Sequence, residues 1–301
     1  MVRIINYSIS SNDEGKTIHI FLRDHFYPTK MITHLKHTEN SVLLNDVPVF
    51  LNTNLKSGDC LKIIYSENEA SPYIVPVNLS FKIVYEDADI MVIDKPADMP
   101  VHPAINNYEN TLANGIVHYF ESKGENFVFR CINRLDRNTS GLLIVAKHRL
   151  SAAILSDFMK KREIHREYLA LCDGHFDEKS GTIDFPIGRV SDSIIERFVD
   201  YENGDSAITH YEVIKEFNIS DAENTAGRSC SLLRITLDTG RTHQIRVHMT
   251  HIGHPLLGDH LYNKEPGNLS RQALHSHIIE FTHPITLQNM KFVSDIDFMT
   301  I

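Results

Sequence analysis

The 301 residues predict an α+β protein: a small module of helices and strands over 1–65, a linker over 66–80 and a larger domain over 81–301. Three observations predict it. Strand-like runs in the second half outnumber helical ones and are not each followed by a helix, which argues against a βαβ series. The stretch Ser66 to Ser80 is polar, has no hydrophobic period and carries Pro72 and Pro76, so it reads as a connection. Hydrophobic residues make up 42% of the chain, enough for a sizeable core.

In order, a short leader precedes a helix over Thr17 to Phe26, whose Ile18, Phe21, Leu22 and Phe26 recur near helical spacing. Pro28 breaks it, and Thr29 can cap a second helix bearing Met31, Ile32 and Leu35. Ser41 to Leu44 and Val47 to Val49 form a hairpin around Asn45-Asp46, and Leu61 to Tyr65 alternate as a strand. In the larger domain a strand over Asp89 to Ile93 ends at Asp94-Lys95-Pro96-Ala97, because proline leaves the ladder. Thr111 to Phe120 is a helix. Gly141 to Ala146 has the length and branching of a buried strand, and Ser151 can cap a helix carrying Ile154, Leu155 and Phe158. Further strands are read at Ile164 to Leu171, Ala207 to Phe217, Ser231 to Leu237, Ala273 to Phe281 and Met290 to Val293, with a turn at Asn224 to Gly227. Thr242 and Gly253 are the N-cap and C′ residues of one more helix.

The chemistry concentrates in Asn133-Arg134-Leu135-Asp136-Arg137-Asn138-Thr139-Ser140-Gly141. One carboxylate, Asp136, lies between two arginines, and nearby positive charge favours the carboxylate form. The apolar strand that follows holds this loop rigidly, the setting in which catalytic residues tend to sit. A surface turn whose Asp pairs with its neighbours is the plainer reading of the triplet taken alone.

The stretch resembles the signature of RluA-family pseudouridine synthases, His-Arg-Leu-Asp-x-x-Thr-Ser/Thr-Gly-Leu, with Asn133 in place of the His. Asp94-Lys95-Pro96-Ala97 to Val101-His102-Pro103 resembles the family's D-K-P-A-G-x-x-V-H-P, with Asp98 where glycine is usual. Gly240-Arg241-Thr242-His243-Gln244-Ile245-Arg246-Val247-His248 resembles its third motif residue for residue. The resemblance implies a catalytic domain built on a long mixed, mainly antiparallel sheet with the active-site cleft across its middle. It implies that Asp136 is the catalytic aspartate and Arg246 its salt-bridge partner. Tyr168 is then the tyrosine that packs against the target base, and Leu274 the apolar contact beneath it. Arg134 fills the place that the base vacates or grips a phosphate. The reaction isomerises uridine in RNA to its carbon-linked form and needs no cofactor or metal. The two short helices, hairpin and Gly58-Asp59 strand of the first module resemble the ribosomal S-four RNA-binding module, here with few basic residues.

Net charge is −9, which by itself argues against a nucleic-acid binder. From Phe127 to Leu171, however, nine Lys/Arg face four Asp/Glu, so this segment is +5 and the remainder −14. A local basic stripe tracks phosphates on an acidic body, and Arg137, Lys160, Lys161, Arg162 and Arg241 are the expected RNA contacts. Lys160 to Arg162 also suit a helix C-terminus on electrostatic grounds alone. The partner expected is ribosomal RNA ahead of transfer RNA. There is no long apolar run and no apolar leader at Met1 to Asn6, and Cys60, Cys131, Cys172 and Cys230 form no C-x-x-C. These features fit a monomeric cytoplasmic enzyme. Two other classes compete. His243, His248, His251, His254 and His260 suggest a metallohydrolase, against which stands the absence of an H-E-x-x-H spacing. A non-catalytic RNA-binding protein is opposed by the intact Asp136 and Arg246.

Overall fold

The computed structural model describes residues 2–67, 70–71, 73–104, 107–191, 193, 195–221, 224–296 and 298. The stretch read as a short leader holds a strand, β1 (Val2–Ser8), in which only Ile5 is buried. That leaves too weak an alternation to reveal it in the sequence. α1 (Ile18–Asp24) is capped by the Thr17 hydroxyl, which accepts from Ile20 N at 3.3 Å. The cap of α2 (Thr29–His37) lies one residue earlier than expected: Pro28 holds that position, with its fixed φ of −65°, and Thr29 is already helical. β2 (Val42–Leu44) and β3 (Val47–Pro48) meet at Asn45 and Asp46, whose φ values of 51° and 65° are the left-handed pair that a twisted two-residue hairpin requires. β4 (Cys60–Ser66) completes a four-stranded sheet of order β1-β4-β2-β3.

Beyond it lie β5 (Lys82–Glu86), β6 (Ile90–Lys95), α3 (Leu112–Glu121), β7 (Ser140–Ala146), α4 (Arg149–Lys160), β8 (His165–Asp173), β9 (Ser180–Asp184), β10 (Ile187–Arg189), β11 (Arg197–Val199), β12 (Ile208–Asp221), β13 (Asn224–Leu237), α5 (Gln244–His251), β14 (Leu274–Thr282) and β15 (Asn289–Val293). Nine of these strands form one sheet, β5-β6-β7-β14-β8-β13-β12-β9, with β15 on β14. Every described pairing is antiparallel except β7 with β14, so the sheet is mixed and mainly antiparallel, and the class is α+β.

Every residue of β7 is buried. Its side chains alternate between two cores, Leu142, Ile144 and Ala146 on one face and Leu143 and Val145 on the other. The second face is covered by α3. The first is covered by α4 and also by the small module: Phe21, Leu22 and Ile63 share a core with Ile90, Val92, Ile154 and Phe158. Arg3 of β1 adds a bidentate ion pair to Asp89 (2.7 and 2.9 Å), and Asp89 in turn meets His148 at 2.8 Å. The expected linker is irregular. Ser71 N donates to Phe127 O (3.1 Å) and Asn114 Nδ2 to Val75 O (2.7 Å), so it is tied to the start of α3 and to the segment after it; Asn68, Glu69 and Pro72 lie outside the described residues.

Three local expectations are corrected. α4 is capped by the His148 ring, whose Nδ1 accepts from Ser151 N (3.2 Å), so Ser151 is inside the helix. α5 is capped at His243, in the left-handed conformation with φ 57°, not at Thr242. Asn224 to Gly227 are strand, not turn: β12 and β13 run on as a longer hairpin, with Asp221 opposite Asn224. Strands β5, β9, β10 and β11 were not foreseen. No described helix is long and apolar enough to cross a membrane.

Candidate active site

Asp136 sits in a loop stitched down on all sides. On the way in, Ile132 N donates to Ile144 O (2.9 Å), and the buried Asn133 accepts from Ile144 N (2.9 Å) through its side-chain oxygen. Asn133, where the motif usually has His, therefore ties the loop to β7. On the way out, Arg271 Nη1 donates to Asn138 O (3.0 Å) and Gln272 Nε2 to Thr139 Oγ1 (3.3 Å). From beneath, Lys95 is fully buried and its Nζ donates to Pro96 O (2.8 Å), Met99 O (2.8 Å) and Arg137 O (3.0 Å). Burial pushes the Lys95 pKa down to about 7, and the three carbonyls are the counterweight that the buried ammonium needs. Lys95→Met keeps the length and strands those carbonyls, each at a cost of about 1–3 kcal/mol. The variant is expected to lose at least ~3 kcal/mol in urea titration, with a matching loss of activity in the surviving fold; a stability within ~1 kcal/mol of the parent would count against the brace.

Across the loop, Arg246 Nη1 reaches Asp136 Oδ2 at 3.3 Å. Arg246 is 7% exposed, and its aim is fixed from behind: Nε and Nη2 donate to the two oxygens of buried Asp259 at 2.7 and 2.8 Å, and the guanidinium lies 4.9 Å from the Tyr262 ring centre. Such bidentate pairs fix geometry as well as charge. The Tyr262 hydroxyl accepts from Arg197 N (2.9 Å), and its oxygen is 2.8 Å from His243 Nδ1. His243 Nε2 faces Asp136 Oδ2 at 3.9 Å. Burial lowers the His243 pKa, and Asp136 opposes that shift. Both cationic or N–H-bearing neighbours thus meet Oδ2.

The cleft around Asp136 has a volume of about 830 Å³. Tyr168 and Leu274, buried on adjacent strands β8 and β14, form its floor with Asp136. Of the five expected RNA contacts Lys160, Arg162 and Arg241 line it, as does Arg134, together with Arg166 and Arg197, which were given no role. The other two expected RNA contacts do not line it. Arg137 is turned to Asp98 (2.7 Å) and Lys161 to Asp157 (2.8 Å). The basic lining also draws on Arg197, Arg241 and Arg246 outside the +5 segment, and carboxylates enter too: Asp238 pairs with Arg162 at 2.9 Å. Asp98 is itself left-handed (φ 58°), a conformation that glycine would adopt without strain.

The histidines do not converge. His248 lies between Thr209 Oγ1 and Phe185 O (both 2.9 Å), His251 faces Tyr201, His254 stacks on Phe176, and His260 meets Leu269 O. Asp259, Tyr262 and Arg271 were invisible to motif reading, since they act by holding other side chains; the only signal is their density of polar residues after α5.

A comparison with known proteins spans part of this site. A model described as RNA pseudouridylate synthase matches residues 89–251, which include the loop, Tyr168 and Arg246. The chain belongs to the RNA pseudouridylate synthase family. This pseudouridine synthase is 37% identical over 263 residues to the uncharacterized RNA pseudouridine synthase YjbO of Bacillus subtilis (strain 168), covering 87% of this chain and 89% of that one. It is 36% identical over 237 residues to the ribosomal large subunit pseudouridine synthase D of Escherichia coli (strain K12), covering 74% and 69%. The solved structure of human RNA Pseudouridylate Synthase Domain Containing 1 is similar with a TM-score of 0.57 and 28% identity, over 72% of this chain and 84% of that one. The synthase is accordingly an isomerase that converts uridine in RNA to pseudouridine.

Proposed function

We propose that Asp136 carries the reaction and that the substrate is large-subunit ribosomal RNA. The observation that carries the first part is the Asp136–Arg246–Asp259 chain at the floor of a basic cleft. The isomerisation breaks the bond from N1 of uracil to the sugar, turns the base and joins its C5 to the same carbon; C5 gives up its proton and N1 takes one up, so the product is an isomer. A single aimed carboxylate serves as nucleophile or base for these steps. Because Arg246 and His243 both face Oδ2, Oδ1 is the oxygen that acts on the nucleotide. Tyr168 and Leu274 take the base once it has left its stack, and Arg134 fills the vacancy or holds a phosphate. The relatives named for the large ribosomal subunit support the choice of RNA. We assign residues 1–65 as an S-four-like accessory module to the catalytic domain 81–301, in a monomeric cytoplasmic enzyme.

The test is direct. Purified protein is incubated with ribosomal RNA transcripts, and pseudouridine is located by mass spectrometry. Formation at one or a few uridines of the large-subunit transcript supports the proposal; turnover confined to transfer RNA would move the substrate.

The cleft lining sets the salt dependence. Replacing Lys160, Arg162 and Arg241 by Ala is expected to flatten the log–log slope of RNA affinity on salt by about 0.7 per lost phosphate contact. Lys161→Ala, whose partner is Asp157, is expected to leave the slope unchanged. Titration of a labelled fragment at several salt concentrations checks both, and an unchanged slope in the triple variant would place the RNA elsewhere.

A further inference from the structure

The cleft holds a buried cation that no carboxylate answers. Arg166, on β8 two residues before Tyr168, is 9% exposed and lines the cleft, and its Nε has no hydrogen-bond partner. Burial raises the Tyr168 pKa, and the Arg166 charge two residues away opposes that shift. Among the described residues no carboxylate lies within ion-pair distance of it; neighbouring Glu167 is turned to Arg234 (3.3 Å). A buried charge with no counter-charge is strongly unfavourable, and a fold keeps one most readily where a ligand supplies the missing sign. Arg166 also lies against bare backbone: a Cβ at Gly240 would come 3.2 Å from its Nη1. Tyr168, Lys160 and Arg162 line the same cleft.

We propose that Arg166 is a phosphate subsite, holding the phosphodiester that joins the target uridine to its neighbour as the strand leaves toward Lys160 and Arg162. The inference rests on the reading of Asp136 and Tyr168 as the uridine site. Uracil is neutral and does not answer the charge, whereas a phosphate does. The guanidinium fork suits two phosphate oxygens.

The experiment is a binding cycle in Asp136→Asn protein, which blocks turnover. The probes are a synthetic RNA hairpin containing the uridine that the wild-type enzyme modifies, and two copies with a neutral methylphosphonate at the phosphate on one or the other side of it. One of the two is expected to bind about tenfold more weakly than the natural hairpin. Arg166→Met should weaken the natural hairpin by a similar factor, and the two changes together should cost no more than either. Arg166→Lys should recover part of the loss. The thermal midpoint of Arg166→Met should be no lower than that of the parent, because an uncompensated buried charge has been removed. Additive losses would overturn the proposal, as would methylphosphonates without effect on the parent, a readout that needs no variant to fold. If inorganic phosphate raised the parent's thermal midpoint while both methylphosphonates were silent, Arg166 would serve a free anion and the proposal would fall. A parent that bound none of the hairpins would overturn the uridine reading and the subsite with it; binding indifferent to the methylphosphonates overturns the subsite alone.

Discussion

Asp136→Asn abolishes pseudouridine formation and leaves the fold intact: this is the outcome expected of the largest effect on activity. The substitution keeps the volume and removes the charge that Arg246 faces at 3.3 Å. Arg246 does not collapse into the cleft, because two of its nitrogens stay on Asp259. The thermal midpoint and RNA affinity should therefore remain near those of the parent. Turnover should fall below about one hundredth of wild type, since loss of a positioned acid–base or nucleophilic group typically costs that much or more. Single-turnover measurement with saturating enzyme separates the chemical step from binding. Residual turnover above that level would remove Asp136 from the chemistry.

The largest effect on stability is expected from Gly141→Ala. Gly141 has φ 107°, and a Cβ there would lie 2.2 Å from the Ser276 carbonyl oxygen and 2.7 Å from Ser276 N. These are rigid backbone atoms at the parallel join of β7 and β14, where Ser276 pairs with Gly141. Separating β7 from β14 would release the strand on which the Asp136 loop is anchored. The variant is expected to lose about 4 kcal/mol or more, or to fail to fold, the range reached when a strained φ and a backbone clash coincide. Gly253→Ala is the control: its φ is also positive, 87°, but a Cβ there meets nothing within 4 Å. It should cost only about 1 kcal/mol. Urea titration of both distinguishes a packing role for Gly141 from a merely conformational one, and equal losses would contradict the close-approach account.

The sequence revealed what repeats or stands in one stretch. β7 was legible because all seven of its residues are buried, and the Asn45-Asp46 hairpin because its turn needs left-handed residues. β1 was not, since Ile5 is its only buried side chain and its place in the sheet comes from pairing with β4, residues away in sequence. The caps of α2, α4 and α5 were each misplaced by one to three residues, because a Pro, a His ring and a left-handed His took roles usually given to hydroxyls. In the site, Asp136 and Arg246 were picked out from motifs, and the structure brings them together. Asp259, Tyr262, Lys95 and Arg271 support them through contacts between distant segments, which spacing in the sequence does not encode. Arg166 lies within the +5 segment but was not singled out there, since a buried cation looks like any other until its missing partner is visible.

The most direct measurement is a map of pseudouridines in total RNA from a strain lacking this gene, complemented with the wild-type or the Asp136→Asn coding sequence. The predicted result is loss of one or a few pseudouridines in large-subunit ribosomal RNA, restored by the wild type and not by Asp136→Asn. A map unchanged by the deletion, or restored equally by both, would contradict the assignment of this cleft and this carboxylate to the isomerisation.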